Sequence, residues 1–144
     1  MENETLDNTK SLLQKIQSVS VSERIDLAFK ATKEVRSILI RDPNKIVQMA
    51  VIQSPKITES EVLMIANNRQ VHDDILRHII SNKEWMKNYQ IKVALVNNPK
   101  TPLPLALKLA PFLHSRDLSF LSKSKAIPRA LSITAQRRLK EAKR

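Results

Sequence analysis

The sequence predicts an all-α fold with no β-sheet, and three observations carry that reading. Apolar residues along its 144 positions recur at i, i+3 and i+4, the spacing of one helix face. The runs are short and are separated by Pro, or by Ser, Asn and Asp beside it. Glycine is absent, where average usage would place about ten. Two-residue hairpins lean on Gly for φ > 0, so a β-meander is not expected.

The elements follow in chain order. Met1-Glu2-Asn3-Glu4 opens the chain, and the first few residues are expected to be disordered. Leu12, Leu13 and Ile16 stripe a first helix. Ser20 with Glu23 fits a capping box, and the helix behind it carries Ile25, Leu27 and Ala28. Val35, Ile38 and Leu39 mark a third helix, which stops at Asp42-Pro43 because the residue before Pro disfavours the α region. Val47, Ala50 and Val51 form the next, ending at Ser54-Pro55. Thr58 with Glu61 is a second capping box, opening a helix with Val62, Leu63, Ile65 and Ala66. Ile75, Ile79 and Ile80 mark a helix ending near Asn82; Ile91, Ala94 and Leu95 mark one ending at Asn97-Asn98-Pro99. Residues 102–113, 117–121 and 128–143 complete the series. With no Gly, Asn67, Asn68, Asn82, Asn97 and Asn98 are expected to supply left-handed helix caps. The organisation is thus an N-terminal tail and short helix over 1–20 and a helical repeat domain over 21–144.

A shift of 44 residues exposes the repeat. It lays Ala50-Val51-Ile52-Gln53-Ser54-Pro55-Lys56 on Ala94-Leu95-Val96-Asn97-Asn98-Pro99-Lys100, and Leu63, Ile65 and Ala66 on Leu107, Leu109 and Ala110. A shift of 28 gives a weaker match, Val47, Val51 and Ser54 on Ile75, Ile79 and Asn82. Ser124-Lys125-Ala126-Ile127-Pro128 echoes the same turn. One helix–turn–helix unit cannot bury its apolar face alone, whereas stacked neighbours can, so about four hairpin units are expected to form a short α-solenoid.

The stretch from Leu39 through Asp42-Pro43, Val47, Ala50-Val51 and Ser54-Pro55 to Thr58 resembles the variant leucine-rich repeat of bacterial proteins. Its pattern has a Leu-Ala pair, an Asp-Pro turn, a Val-x-x-Ala-Val helix and an Asn-Pro turn. The resemblance is good from Leu39 to Ala66, fair from Ile91 to Ala110 and loose elsewhere; the first forty residues lie outside it. It implies a right-handed solenoid of the HEAT and armadillo-like kind, with no activity attached. One member of that family holds a Cys-ligated iron–sulfur cluster, which a chain with no Cys cannot carry.

Composition excludes several chemistries. Zero Cys removes disulfides, thiolate zinc sites and cysteine nucleophiles. Zero Gly removes P-loops and dinucleotide fingerprints, which need backbone without a Cβ beside the anion. Only Phe29, Phe112, Phe120, Trp85 and Tyr89 are aromatic, so the core is expected to be aliphatic. The acidic start lacks a signal peptide's character, and no run approaches the roughly 20 apolar residues of a membrane span. A cytoplasmic protein is expected.

The formal charge of +11 is concentrated at one end. Residues 1–43, 44–96 and 97–144 carry net charges of 0, +2 and +9. The last third holds Lys100, Lys108, Arg116, Lys123, Lys125, Arg129, Arg137, Arg138, Lys140, Lys143 and Arg144 against Asp117 and Glu141. Leu131, Ala135 and Leu139 would turn inward on the final helix, leaving Arg137, Arg138 and Lys140 to project outward. Phosphate contacts require positive charge at suitable spacing, so nucleic acid is the first candidate partner. A protein-interaction scaffold is the alternative; an acidic protein or membrane surface would use the same charges. Sequence-specific base reading lacks its motifs. Trp85 and Tyr89, at i and i+4 beside Lys83, Lys87 and Lys92, offer a stacking edge or a closure between repeats.

Enzymatic signals are weak. His72-Asp73-Asp74 reads as a helix start rather than a metal site, and Asp42 as a turn residue. No cofactor or small-molecule substrate is evident. HEAT-like solenoids include alkylpurine DNA glycosylases, and Trp85 with Glu84 or Asp117 is the only material here for that lesser alternative. A non-enzymatic binding protein is the expectation.

Overall fold

The computed structural model describes residues 11–142. The expectations for the first few residues, for Lys143 and for Arg144 fall outside the described residues. Those residues are all helix, turn and loop, with no strand. The chain divides into two compact units, Met1–Thr58 and Glu59–Arg144.

In the first unit, α1 covers 11–18, α2 Val21–Lys30, α3 Lys33–Leu39 and α4 Lys45–Ile52. Each start from α2 to α4 has a side chain satisfying an orphan N–H. Ser20 Oγ accepts from the Glu23 N–H at 3.1 Å, Thr32 Oγ1 from Val35 at 3.4 Å, and Asn44 Oδ1 from Ile46 at 2.8 Å. α2 packs against α3 and α4, and α3 against α4. Asp42 ties this packing together. Its Oδ1 accepts the Asn44 N–H at 2.9 Å, and its backbone oxygen accepts Gln48 Nε2 at 2.8 Å. Its Oδ2 lies 2.9 Å from Arg24 Nε, an ion pair rather than an aligned hydrogen bond. The buried Arg36 donates to the Ala31 carbonyl at 2.9 Å, just past the end of α2.

The second unit holds α5 (Glu59–Ala66), α6 (Asp73–Ser81), a 3-10 turn at Trp85–Lys87, α7 (Tyr89–Asn97) and α8 (Leu103–Leu109). A second 3-10 turn at Ala110–Phe112, α9 (Ser115–Lys123) and α10 (Arg129–Ala142) follow. α5 packs on α6 and α7, α7 on α8, and α10 lies along α9 and meets α8. On α10, Leu131 and Ala135 are buried and Leu139 is half-buried, as the four-residue spacing requires.

The core is aliphatic. Leu39, Val47, Val51 and Ile52 are fully buried in the first unit; Ile75, Leu76, Ile79, Ile91, Leu95, Leu121 and Leu131 are among those fully buried in the second. Each such side chain stabilises the fold by about 1.5–3 kcal/mol. None of the five aromatics is buried.

The repeated turn is a repeated hydrogen-bond pattern. Asp42, Ser54, Asn68, Asn98 and Ser124 each donate their own N–H to a carbonyl three residues back, on Leu39, Val51, Ile65, Leu95 and Leu121. Each then accepts, on its side-chain oxygen, the N–H two residues ahead, on Asn44, Lys56, Gln70, Lys100 and Ala126. Ser54 and Asn98, paired by the 44-residue shift, make the same two bonds. The expectation of left-handed Asn caps is corrected here. No described residue has positive φ; Asn82 sits at φ −88° and Asn98 at φ −84°. The side chain itself holds the turn, so the backbone leaves the helix extended without entering the left-handed region. Asn67 and Asn97 instead donate Nδ2 to the Leu63 and Val93 carbonyls one turn back. Among the described residues, no helix is long and apolar enough to cross a membrane.

Candidate nucleic-acid interface

The basic residues of the last third stand on three helices and two turns. Lys100 lies in the turn after α7, where Asn98 Oδ1 holds its N–H at 2.9 Å. Lys108 is in the last turn of α8, Arg116 and Lys123 flank α9, and Lys125 lies in the turn braced by Ser124. Arg129, Arg137, Arg138 and Lys140 are on α10. All nine are exposed. Burial of Leu118 and Leu121 turns Arg116 and Lys123 outward on α9. Burial of Leu131 and Ala135 does the same for Arg129 and Lys140. Arg138, seven residues after Leu131, returns to the inner side of α10, at its exposed end.

The two carboxylates of this region barely offset that charge. Glu141 Oε2 is 3.8 Å from Arg138 Nη1, the one ion pair these nine residues make among the described residues. Asp117 is held by Tyr89, whose hydroxyl donates to Asp117 Oδ2. The same oxygen of Tyr89 accepts the His114 N–H at 2.9 Å, and the two rings stack with centroids 4.0 Å apart. This pin joins the start of α7 to the start of α9. Partial burial, reinforced by the bond to Asp117, holds the Tyr89 phenol above its ordinary pKa of 10.0. α10 has no acidic residue in its first turn, where Arg129 adds to the positive end of the helix dipole.

Trp85 and Tyr89 do not share a helix. Trp85 belongs to the 3-10 turn, and Tyr89 opens α7 behind Asn88, whose Oδ1 accepts from Gln90 and Ile91. Trp85 meets His78 edge-on at 6.2 Å, and Tyr89 is stacked on His114. Both are half-buried. The exposed rings are Phe112 and Phe120, at 63% and 67%. Sequence reasoning took Trp85 and Tyr89 as the stacking edge and passed these two over. The signal was present: Leu118 and Leu121 fix the inner face of α9, which leaves Phe120 outward between Arg116 and Lys123. Lys92 Nζ covers Phe112 at 5.0 Å from its centroid.

Donor atoms of His72, Asp73 and Asp74 lie within 4.8 Å of one another. His72 Nδ1 accepts the Asp74 N–H at 3.1 Å as the cap of α6, and Arg77 Nε lies 3.5 and 3.9 Å from the two carboxylates. The cluster is thus engaged in building a helix start. Of the carboxylates suited to glycosylase chemistry, Glu84 pairs with Lys87 at 3.1 Å and Asp117 with Tyr89. Compared with protein-family models, curated proteins and solved structures, the chain finds no match.

Proposed function

We propose that this is a non-enzymatic helical-repeat protein that binds nucleic acid through its basic last third. The observation that carries the reading is the exposure of all nine cations against two carboxylates, one held by Tyr89 and the other by Arg138. Eight of the nine can meet phosphates with no ion pair among the described residues to break. A stacked-hairpin scaffold is supported by the recurring side-chain turn and by packing of alternate helices, α2 with α4 and α5 with α7.

Anisotropy of labelled DNA and RNA across 50–200 mM salt tests this. Four or five phosphate contacts give a log–log slope of about −4, a loss of roughly 250-fold in affinity over that range. Reversing Arg129 and Lys140 to Glu should flatten the slope by about 2. A flat wild-type response refutes the proposal.

A second reading, a protein-interaction scaffold, is favoured by one observation in the first unit. Ile25 and Phe29 of α2 and Ile46 and Met49 of α4 line an open apolar groove of about 220 Å³. Capture of a protein partner that survives nuclease treatment and is lost on Ile46→Glu would support it.

A further inference from the structure

The outer face of α9 carries a layout of its own. Arg116, Phe120 and Lys123 are all exposed and stand at i, i+4 and i+7. At 100° per residue they fall within an arc of about 60°, opposite the buried Leu118 and Leu121. At 1.5 Å per residue the charges lie about 6 Å and about 4.5 Å along the axis on either side of the ring. Phe120 is 67% exposed and has no ring or cation partner among the described residues, unlike Phe112 under Lys92. α10 repeats the layout with an aliphatic centre: exposed Arg129, Ile133 and Arg137 at four-residue steps. A phenyl exposed to this extent returns little packing to the fold, and it sits between two cations that make no ion pair among the described residues.

We propose that the Arg116–Phe120–Lys123 face binds single-stranded nucleic acid, with an unpaired base stacked on Phe120 and phosphates on the two cations. This inference rests on the polyanion reading above and specifies its partner. In a duplex both faces of each base are covered by neighbours, so the ring has nothing to stack on. In a single strand every base offers a π-face, and stacking tolerates any sequence. The span from Arg116 to Lys123, about 10.5 Å along the axis, sets one cation on each side of the ring, where the phosphates flanking a stacked base pass. Neither stacking nor phosphate contact involves the 2′-hydroxyl, so DNA and RNA strands should bind alike.

The test is anisotropy with fluorescein-labelled dT15, U15 and a 15-base-pair duplex, using full-length protein. The expected wild-type order is dT15 within a few-fold of U15, and both tighter than the duplex. Phe120→Ala should weaken dT15 by about 5- to 100-fold while leaving duplex binding and the salt slope unchanged. Phe120→Trp should retain or tighten single-strand binding, and Phe112→Ala should change it little. Because Phe120 is exposed, these variants should keep the wild-type circular dichroism spectrum and melting temperature. If all three ligands bind with a steep salt slope but Phe120→Ala is silent, or the duplex binds tighter, the stacking face is refuted and the polyanion reading stands. If no oligonucleotide binds at all, both fall.

Discussion

Asn98 is the residue on which the second unit's stability can be tested most sharply. Only 4% exposed, it makes three hydrogen bonds through its side chain. Its Nδ2 donates to the Ala66 carbonyl at 2.8 Å and the Asn68 carbonyl at 2.9 Å, thirty or more residues away. Its Oδ1 accepts the Lys100 N–H at 2.9 Å. The Ala66 carbonyl ends α5, where the helix leaves acceptors without partners of its own, and the Asn68 carbonyl lies in the turn that follows. Asn98→Ala removes all three bonds at about 1 kcal/mol each, and strands the Ala66 oxygen in a buried setting for about 1 kcal/mol more. The expected loss is about 4 kcal/mol, against a total stability of about 5–15 kcal/mol for a natural domain. Asn98→Ser keeps the bond to Lys100, as Ser54 keeps its own to Lys56, and should recover about 1 kcal/mol. Asn98→Asp keeps that bond too, but sets a carboxylate against two carbonyl oxygens, so it should be no more stable than Asn98→Ala. Urea unfolding followed by circular dichroism at 222 nm ranks the four proteins. An Ala variant within about 0.5 kcal/mol of wild type, or a Ser variant no better than Ala, would refute the capping argument.

Two further variants test the second unit. Tyr89→Phe removes the donor to Asp117 and the acceptor for His114, and should cost about 1–2 kcal/mol in urea unfolding at pH 7. Because the folded pKa of Tyr89 is raised, its contribution is complete below pH 10 and declines as pH rises through the folded value, so the gap between wild type and Tyr89→Phe should narrow above pH 10. Leu121→Ala opens a cavity at a fully buried position between α9 and the rest of the unit, and should cost about 2–5 kcal/mol by the same assay. A loss under about 1 kcal/mol there would mean that the site collapses freely.

Much of the fold was legible because short amphipathic helices write their inner face into the sequence. Leu131 and Ala135 were readable as core, and Ser20 as a cap, from neighbours four residues away or fewer. The turn positions were readable from Ser, Asn and Pro. How Asn works there was not: the choice between a left-handed backbone and a side-chain bond is energetic, and for Asn98 it is decided by carbonyls at the end of α5 and in the turn after it. Trp85 and Tyr89 misled by spacing alone, because Asn88 caps a new helix between them. The exposed cations were legible individually. Phe120 was legible in principle from Leu118 and Leu121, and was passed over because the spacing of Trp85 and Tyr89 drew the stacking edge elsewhere.

With neither glycine nor a positive φ among the described residues, the backbone asks no described position for an achiral residue. Substituting Ala for any non-proline residue therefore leaves the local conformation permitted. An alanine scan of this chain would report side-chain contacts almost free of backbone strain, making it an unusually clean ruler for them. The same freedom lets surface residues change without disturbing the turns, so ligand preference could be rewritten on α9 and α10 while the helices stay where they are.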